Sequence, residues 1–148
     1  EELNREYSPT ELYGRSKLAV LLYAKWLHAH LQPTHPNIIV NATHPGVVDT
    51  AQTNVHIHEA HPLLGYGLSA GLKPFRKTQF QGAVSTMYAA TMATEGGQFI
   101  NPPRIVEKGS DKANDMELAD RLMKLTAEVV EKKTRSHSSA KGCPFTED

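Results

Sequence analysis

The sequence predicts an α/β fold in which helices alternate with parallel strands. Three observations carry this expectation. A capped, heavily apolar helix opens the chain, a β-branched run follows and stops at Pro-Gly, and a second helix ends at Gly-Gly before another short apolar run. With 148 residues, 39% hydrophobic and 22% charged, the chain can build one domain with its own core and lacks the composition of a disordered or fibrous one.

The first helix is announced by Ser8, Pro9 and Glu11, which read as N-cap, first-turn proline and capping-box glutamate. It runs over 12–31 until Pro33 and Pro36 stop it. Leu18, Ala19, Val20, Leu21, Leu22, Trp26 and Leu27 occupy more than one narrow stripe. Cover on more than one side is therefore expected, from a sheet and from a partner subunit. Ile38, Ile39, Val40, Asn41, Ala42 and Thr43 then read as a buried strand, halted by His44-Pro45-Gly46. Helix followed by strand is half of a parallel crossover unit.

Residues 47–77 read as a long loop. Its apolar side chains, among them Leu63, Leu64, Tyr66 and Phe75, favour a lid over a lipophilic substrate rather than a linker. A second helix is expected over 78–94, with Phe80, Val84, Met87, Tyr88 and Thr91 on one face and Gly96-Gly97 after it. Gln98-Phe99-Ile100 reads as a short strand before Pro102-Pro103. A third helix is expected from Asn114, with Glu117 completing a capping box and Leu118, Ala119, Leu122, Leu125, Val129 and Val130 forming its apolar face. Residues 1–133 thus form one unit, and 134–148, rich in Ser, Lys and His, are expected to be a disordered tail.

Composition excludes some functions. Sixteen basic and sixteen acidic residues cancel, so no electrostatic argument favours nucleic acid or an anionic membrane as partner. The lone Cys143 can form neither an internal disulfide nor a thiolate zinc site, which fits a reducing, cytoplasmic setting. The longest apolar stretch, 18–24, is too short to cross a bilayer. The first residue is Glu1 rather than methionine, so a preceding segment, a membrane anchor included, stays open.

Chemistry is concentrated at Tyr13-Gly-Arg-Ser-Lys17. Residues four apart on a helix share a face. A free phenol ionises near pH ~10, and an ammonium placed beside a phenol favours the phenolate. A tyrosine so placed can take a proton from an alcohol, or give one to a carbonyl oxygen, while hydride moves to or from a cofactor. Taken alone, the pair is also what two unrelated helix neighbours look like.

The segment Asn41-Ala-Thr-His-Pro45-Gly46-Val-Val-Asp-Thr50 follows about one strand later. In this order of elements, from about Ser8 to Val130, the chain resembles the short-chain dehydrogenase/reductase family, and its Pro-Gly segment resembles the retinol dehydrogenase-like branch. Gly82-Ala83, Tyr88-Ala89-Ala90 and Gly97-Gln98-Phe99 follow the same pattern. The resemblance implies the C-terminal part of a doubly wound parallel-sheet, Rossmann-type fold. It implies Tyr13 as general acid/base and Lys17 as its partner and as holder of the nicotinamide ribose. It implies Pro45, Gly46, Val48 and Thr50 along the nicotinamide, with NADP or NAD as cofactor, a lipophilic alcohol or carbonyl as substrate, and a homo-oligomer. The family's glycine-rich turn, its Asn-Asn-Ala-Gly segment and its catalytic serine have no counterpart here. The resemblance therefore covers half of an active site.

Two other readings stay open. A chain with half a sheet could pair with a full-length relative without doing chemistry. His56, His58 and His61 could ligate zinc, although no cysteine or acidic cluster supports them. His44, just before the Pro-Gly turn, reads as structural rather than catalytic.

Overall fold

The structure is a computed structural model and describes residues 7–49 and 76–138. Helix α1 spans Pro9–Leu31, strand β1 Ala42–Thr43, helix α2 Gln79–Thr91, strand β2 Phe99–Asn101 and strand β3 Ile105–Glu107. A 3-10 turn at Asp111–Asn114 precedes helix α3, Met116–Ser138. The strands lie in the order β1-β2-β3. β1 and β2 are parallel, with α2 between them in the chain, and β3 returns antiparallel to β2. This is an α/β arrangement and part of a Rossmann-type fold.

α1 begins as its sequence dictates. The Ser8 side chain accepts the Glu11 amide, the Glu11 carboxylate accepts the Ser8 amide, and Pro9 fills the first turn. α2 opens with a second capping box, from Thr78 and Gln81. The core is small: Leu22 of α1, Ile100 of β2, Ala113 of the 3-10 turn and Ala119 of α3 are its buried apolar side chains. α1 packs on β1, the 3-10 turn and α3. Trp26 Nε1 donates to Asp120 (2.7 Å), and Lys25 Nζ donates to Asn114 Oδ1 (2.5 Å). Burial, and then the charge of Lys108, push the Lys25 pKa below the ordinary lysine value.

Several expectations need correction. The strand predicted over 38–43 is paired only at Ala42–Thr43, and Ile38 and Ile39 are 46% and 43% exposed. A β-branched run is buried only where neighbours cover it, and among the described residues β1 has β2 alone beside it. The expected face of α2 is present, Phe80, Val84, Met87, Tyr88 and Thr91 lining one groove, but that groove is open. Gly82 and Ser85 are its buried positions, whereas Phe80 is 83% exposed and lines an open groove with Met87, Tyr88 and Met92. On α1, Val20 and Tyr23 are exposed in a groove against Leu122 and Met123 of α3.

α3 is capped by Asp115, whose carboxylate accepts the Leu118 amide, and not by Asn114. Asn114 instead ends the 3-10 turn and ties Lys108 and Ser110 together through its amide. The distal residues of the expected apolar face, Leu125, Val129 and Val130, are exposed. α3 also continues to Ser138, so the first residues of the expected tail are helical, Thr134 bonding back to the Val130 carbonyl. β3 was not foreseen. Residues 50–75, which hold Thr50, the three histidines and the expected lid, lie outside the described residues, as does Cys143.

Candidate active site

The Ser8 cap sets the phase of α1, and that phase puts Tyr13 and Lys17 one turn apart on one face. The Lys17 ammonium stands 5.3 Å from the centre of the Tyr13 ring. Both side chains line a cleft of about 560 Å³ with Leu18, Val20 and Leu21 of the same helix and with residues 42–46 and Phe99. Tyr13 is 46% exposed and is not sunk in an apolar core. The sequence spacing and the Pro-Gly turn thus meet at one place in the fold. Of the other predicted residues, Val48 lies behind the turn against α2, and Thr50 is not described.

The opposite wall of the cleft is the end of β1 and its turn. β2 holds it from one side: the Ala42 amide donates to the Gln98 carbonyl and the His44 amide to the Ile100 carbonyl. Asn41 secures the start of this strand, its amide donating to the Glu95 carbonyl and its oxygen accepting the Gln98 amide. α2 holds the wall from another side. The fully buried Ser85 donates its hydroxyl to the His44 carbonyl (3.0 Å), and the Thr43 and Thr86 hydroxyls meet at 3.0 Å.

Gly82 explains why α2 can come so close. A Cβ there would lie 2.5 Å from Val48 Cγ2 and 3.6 Å from Pro45 Cβ, so only glycine admits this packing. Gly46 adopts φ +76°, the left-handed region that glycine enters without strain. The chain leaving the turn is pinned by a parallel bridge between Val48 and Lys77. Asp49 adds an ion pair at 2.9 Å to Arg76, whose side chain is 3% exposed.

The sequence reading missed Ser85 as a determinant of the site. Its signal was available, for Gly82 and Ser85 are three apart on one helical face, the spacing of a close helix contact. Phe99, expected as a strand residue and as part of the family pattern, also lines the cleft. Among the described residues no group of three or more His, Cys, Asp or Glu could hold a metal ion. The zinc reading, which needs His56, His58 and His61, lies outside them. No helix among the described residues is long and apolar enough to cross a membrane.

Comparison with known proteins decides the family. The chain is 46% identical over 149 residues to the Neurospora crassa protein bli-4, named as a mitochondrial oxidoreductase, covering 98% of this chain and 36% of that protein. It is 33% identical over 129 residues to the chloroplastic short-chain dehydrogenase TIC 32 A of Brassica napus, covering 84% of this chain and 38% of that one.

The chain belongs to the short-chain dehydrogenase/reductases.

Mouse retinol dehydrogenase 14 is a further similar member of this family, 39% identical over 93 residues, 61% of this chain and 26% of that enzyme. The chain thus spans little more than a third of the length of the short-chain dehydrogenases it matches. No family model matches it, and no solved structure does.

Proposed function

We propose that this chain supplies the acid/base half of a nicotinamide-dependent oxidoreductase site acting on a lipophilic alcohol or its carbonyl counterpart. The observation that carries the reading is the shared cleft, in which Tyr13 and Lys17 face the Pro45–Gly46 turn. The residues present suit the nicotinamide end of a dinucleotide. Pro45, Gly46, Leu18 and Leu21 form an apolar wall, a cation stands at its edge, and a cleft of about 560 Å³ is within the usual size of a cofactor or ligand pocket. A bound nicotinamide would supply or accept the hydride; NADP and NAD both suit this wall.

Tyr13 would give its phenolic proton to a substrate carbonyl oxygen, or take one from an alcohol. The Lys17 ammonium stands over the same ring, 5.3 Å from its centre, and its donors can hold ribose hydroxyls. Pro45, Gly46 and Val48 would fix the plane against which the nicotinamide lies, with Thr50 beyond them. The apolar composition of 63–75 and the likeness to retinol dehydrogenase 14 support a lipophilic substrate. Exposed Val20 and Tyr23 on α1 support a homo-oligomer in the whole protein. One relative is named as mitochondrial and another as chloroplastic, so the single cysteine supports a reducing compartment rather than the cytoplasm in particular.

The test is an assay of the whole protein with each nicotinamide pair against long-chain alcohols and aldehydes, read by nicotinamide absorbance. Turnover that rises with the apolar length of the substrate is expected. No turnover with any pair overturns the proposal.

One observation favours a second reading. Ile38 and Ile39 are exposed, and among the described residues β1 has a neighbour on one edge only. The chain would then dock through that edge onto further strands without catalysing anything. Turnover of the whole protein abolished by Tyr13→Phe excludes this alternative.

A further inference from the structure

We propose that His44 is the positioning residue of the Pro45–Gly46 turn, acting as a neutral imidazole held in one tautomer. Pro45 has no amide hydrogen, so Gly46 provides the first donor of the turn. That donor is taken by a side chain: the Gly46 amide donates to His44 Nδ1 at 2.9 Å. A backbone amide can only donate, so Nδ1 must be the bare nitrogen and Nε2 must carry the proton. The arrangement copies the turn that asparagine and aspartate make when they accept the amide two residues on.

The imidazole can do this because the residue bearing it is itself immobilised. Its own amide donates to the Ile100 carbonyl at 3.0 Å, and its carbonyl accepts the hydroxyl of buried Ser85 at 3.0 Å. The ring stands edge-on to Phe99, with centroids 6.5 Å apart. His44 is thereby fixed by β2, by α2 and by its own turn. Gly46, at φ +76°, has the freest backbone of the segment and is tethered through His44. Both residues line the cleft with Tyr13 and Lys17, so a turn that moved would change the wall opposite the acid/base pair. The effect on cofactor rests on the reading of that cleft as the nicotinamide site; the turn geometry does not.

The experiment has two arms. In the unaltered, isotope-labelled protein, long-range ¹H–¹⁵N correlation reads the His44 tautomer directly. The Nε2–H form with an unprotonated Nδ1 is expected; an Nδ1–H form overturns the proposal without any variant having to fold. Hydrogen exchange at the Gly46 amide is then compared in His44→Leu and His44→Asn. Loss of one hydrogen bond predicts exchange faster by about tenfold in His44→Leu. His44→Asn should recover most of the protection, since its side-chain oxygen can accept the same amide. Equal exchange in wild type and His44→Leu overturns the proposal. NADH and NADPH titrations of the whole protein with the same substitutions should show binding weakened about tenfold in His44→Leu and less in His44→Asn. Whole wild-type protein that binds neither dinucleotide sinks the nicotinamide reading of the cleft, while the tautomer and exchange results still decide the role of His44.

Discussion

Lys17→Arg keeps a positive charge on α1 and changes its shape. A compact ammonium can approach the Tyr13 ring, as it does at 5.3 Å, and still turn donors toward a ribose; a planar guanidinium presents a fixed fork. Turnover by Lys17→Arg is therefore expected to lie between wild type and Lys17→Ala, and Lys17→Ala should lose cofactor affinity as well. Steady-state kinetics with a dinucleotide titration of each variant separates the two losses. Ser85 makes a different kind of contribution. Its hydroxyl is fully buried and bonded to the His44 carbonyl, so Ser85→Ala leaves an acceptor without that partner, at a cost of about 1–3 kcal/mol. Denaturant unfolding reads that loss. A Ser85→Ala protein of unchanged stability would show that the bond does not hold the turn.

At the scale of elements, the packing of α2 on the turn depends on Gly82. Any side chain there must displace Val48, which is short and has little room to give. Gly82→Val should destabilise the protein by about 1–3 kcal/mol, the usual cost of overpacking. It should also weaken dinucleotide binding more than a surface change of equal stability cost, which calorimetry on both variants can show. The cap of α1 is a milder case. Ser8→Ala should cost about 1 kcal/mol. Hydrogen bonds from the Ser8 amide and hydroxyl hold the Glu11 carboxyl below its ordinary pKa. A depressed carboxyl contributes stability above the ordinary carboxylate range and loses it as pH falls through the depressed value. Thermal unfolding between neutral and strongly acid pH should therefore show a steeper acid loss for wild type than for Glu11→Gln.

These elements also show what a sequence can and cannot disclose. The cap of α1, its length, the Pro-Gly stop and the Tyr13–Lys17 face were legible because each depends on residues within a turn or two of each other. Which side of α2 faces inward was not legible from apolarity. The contact is made by the small residues Gly82 and Ser85, while Phe80 and Met87 point outward. β3 was hidden because it has only Ile105 and Val106 to mark it, just after Pro102-Pro103. The start of α3 was misplaced because Asn114 and Asp115 are both good caps, and the tertiary bond from Lys25 commits Asn114 to the 3-10 turn.

At the scale of the whole molecule, the apolar surface exceeds what the described elements cover. Val20 and Tyr23 on α1, and Leu125, Val129 and Val130 on α3, lie open to solvent. Burial of such a surface favours association. Light scattering of the whole protein is expected to give a dimer or larger, and Val20→Glu with Tyr23→Glu should shift it toward monomer. A stable wild-type monomer would count against the oligomer. The 148-residue chain alone should bind dinucleotide weakly, because neither α1 nor α2, capped by Ser8 and Thr78, opens on a glycine-rich turn that could seat a pyrophosphate. The central claim, however, is that Tyr13 moves the proton. Tyr13→Phe removes one oxygen from a half-exposed ring and leaves the packing of α1 in place. The most direct test is turnover of the whole protein with and without that oxygen, circular dichroism confirming the fold and titration confirming the cofactor affinity. The account predicts a fall of about 10²–10⁴-fold in kcat with dinucleotide binding little changed; near-normal turnover by Tyr13→Phe would contradict it.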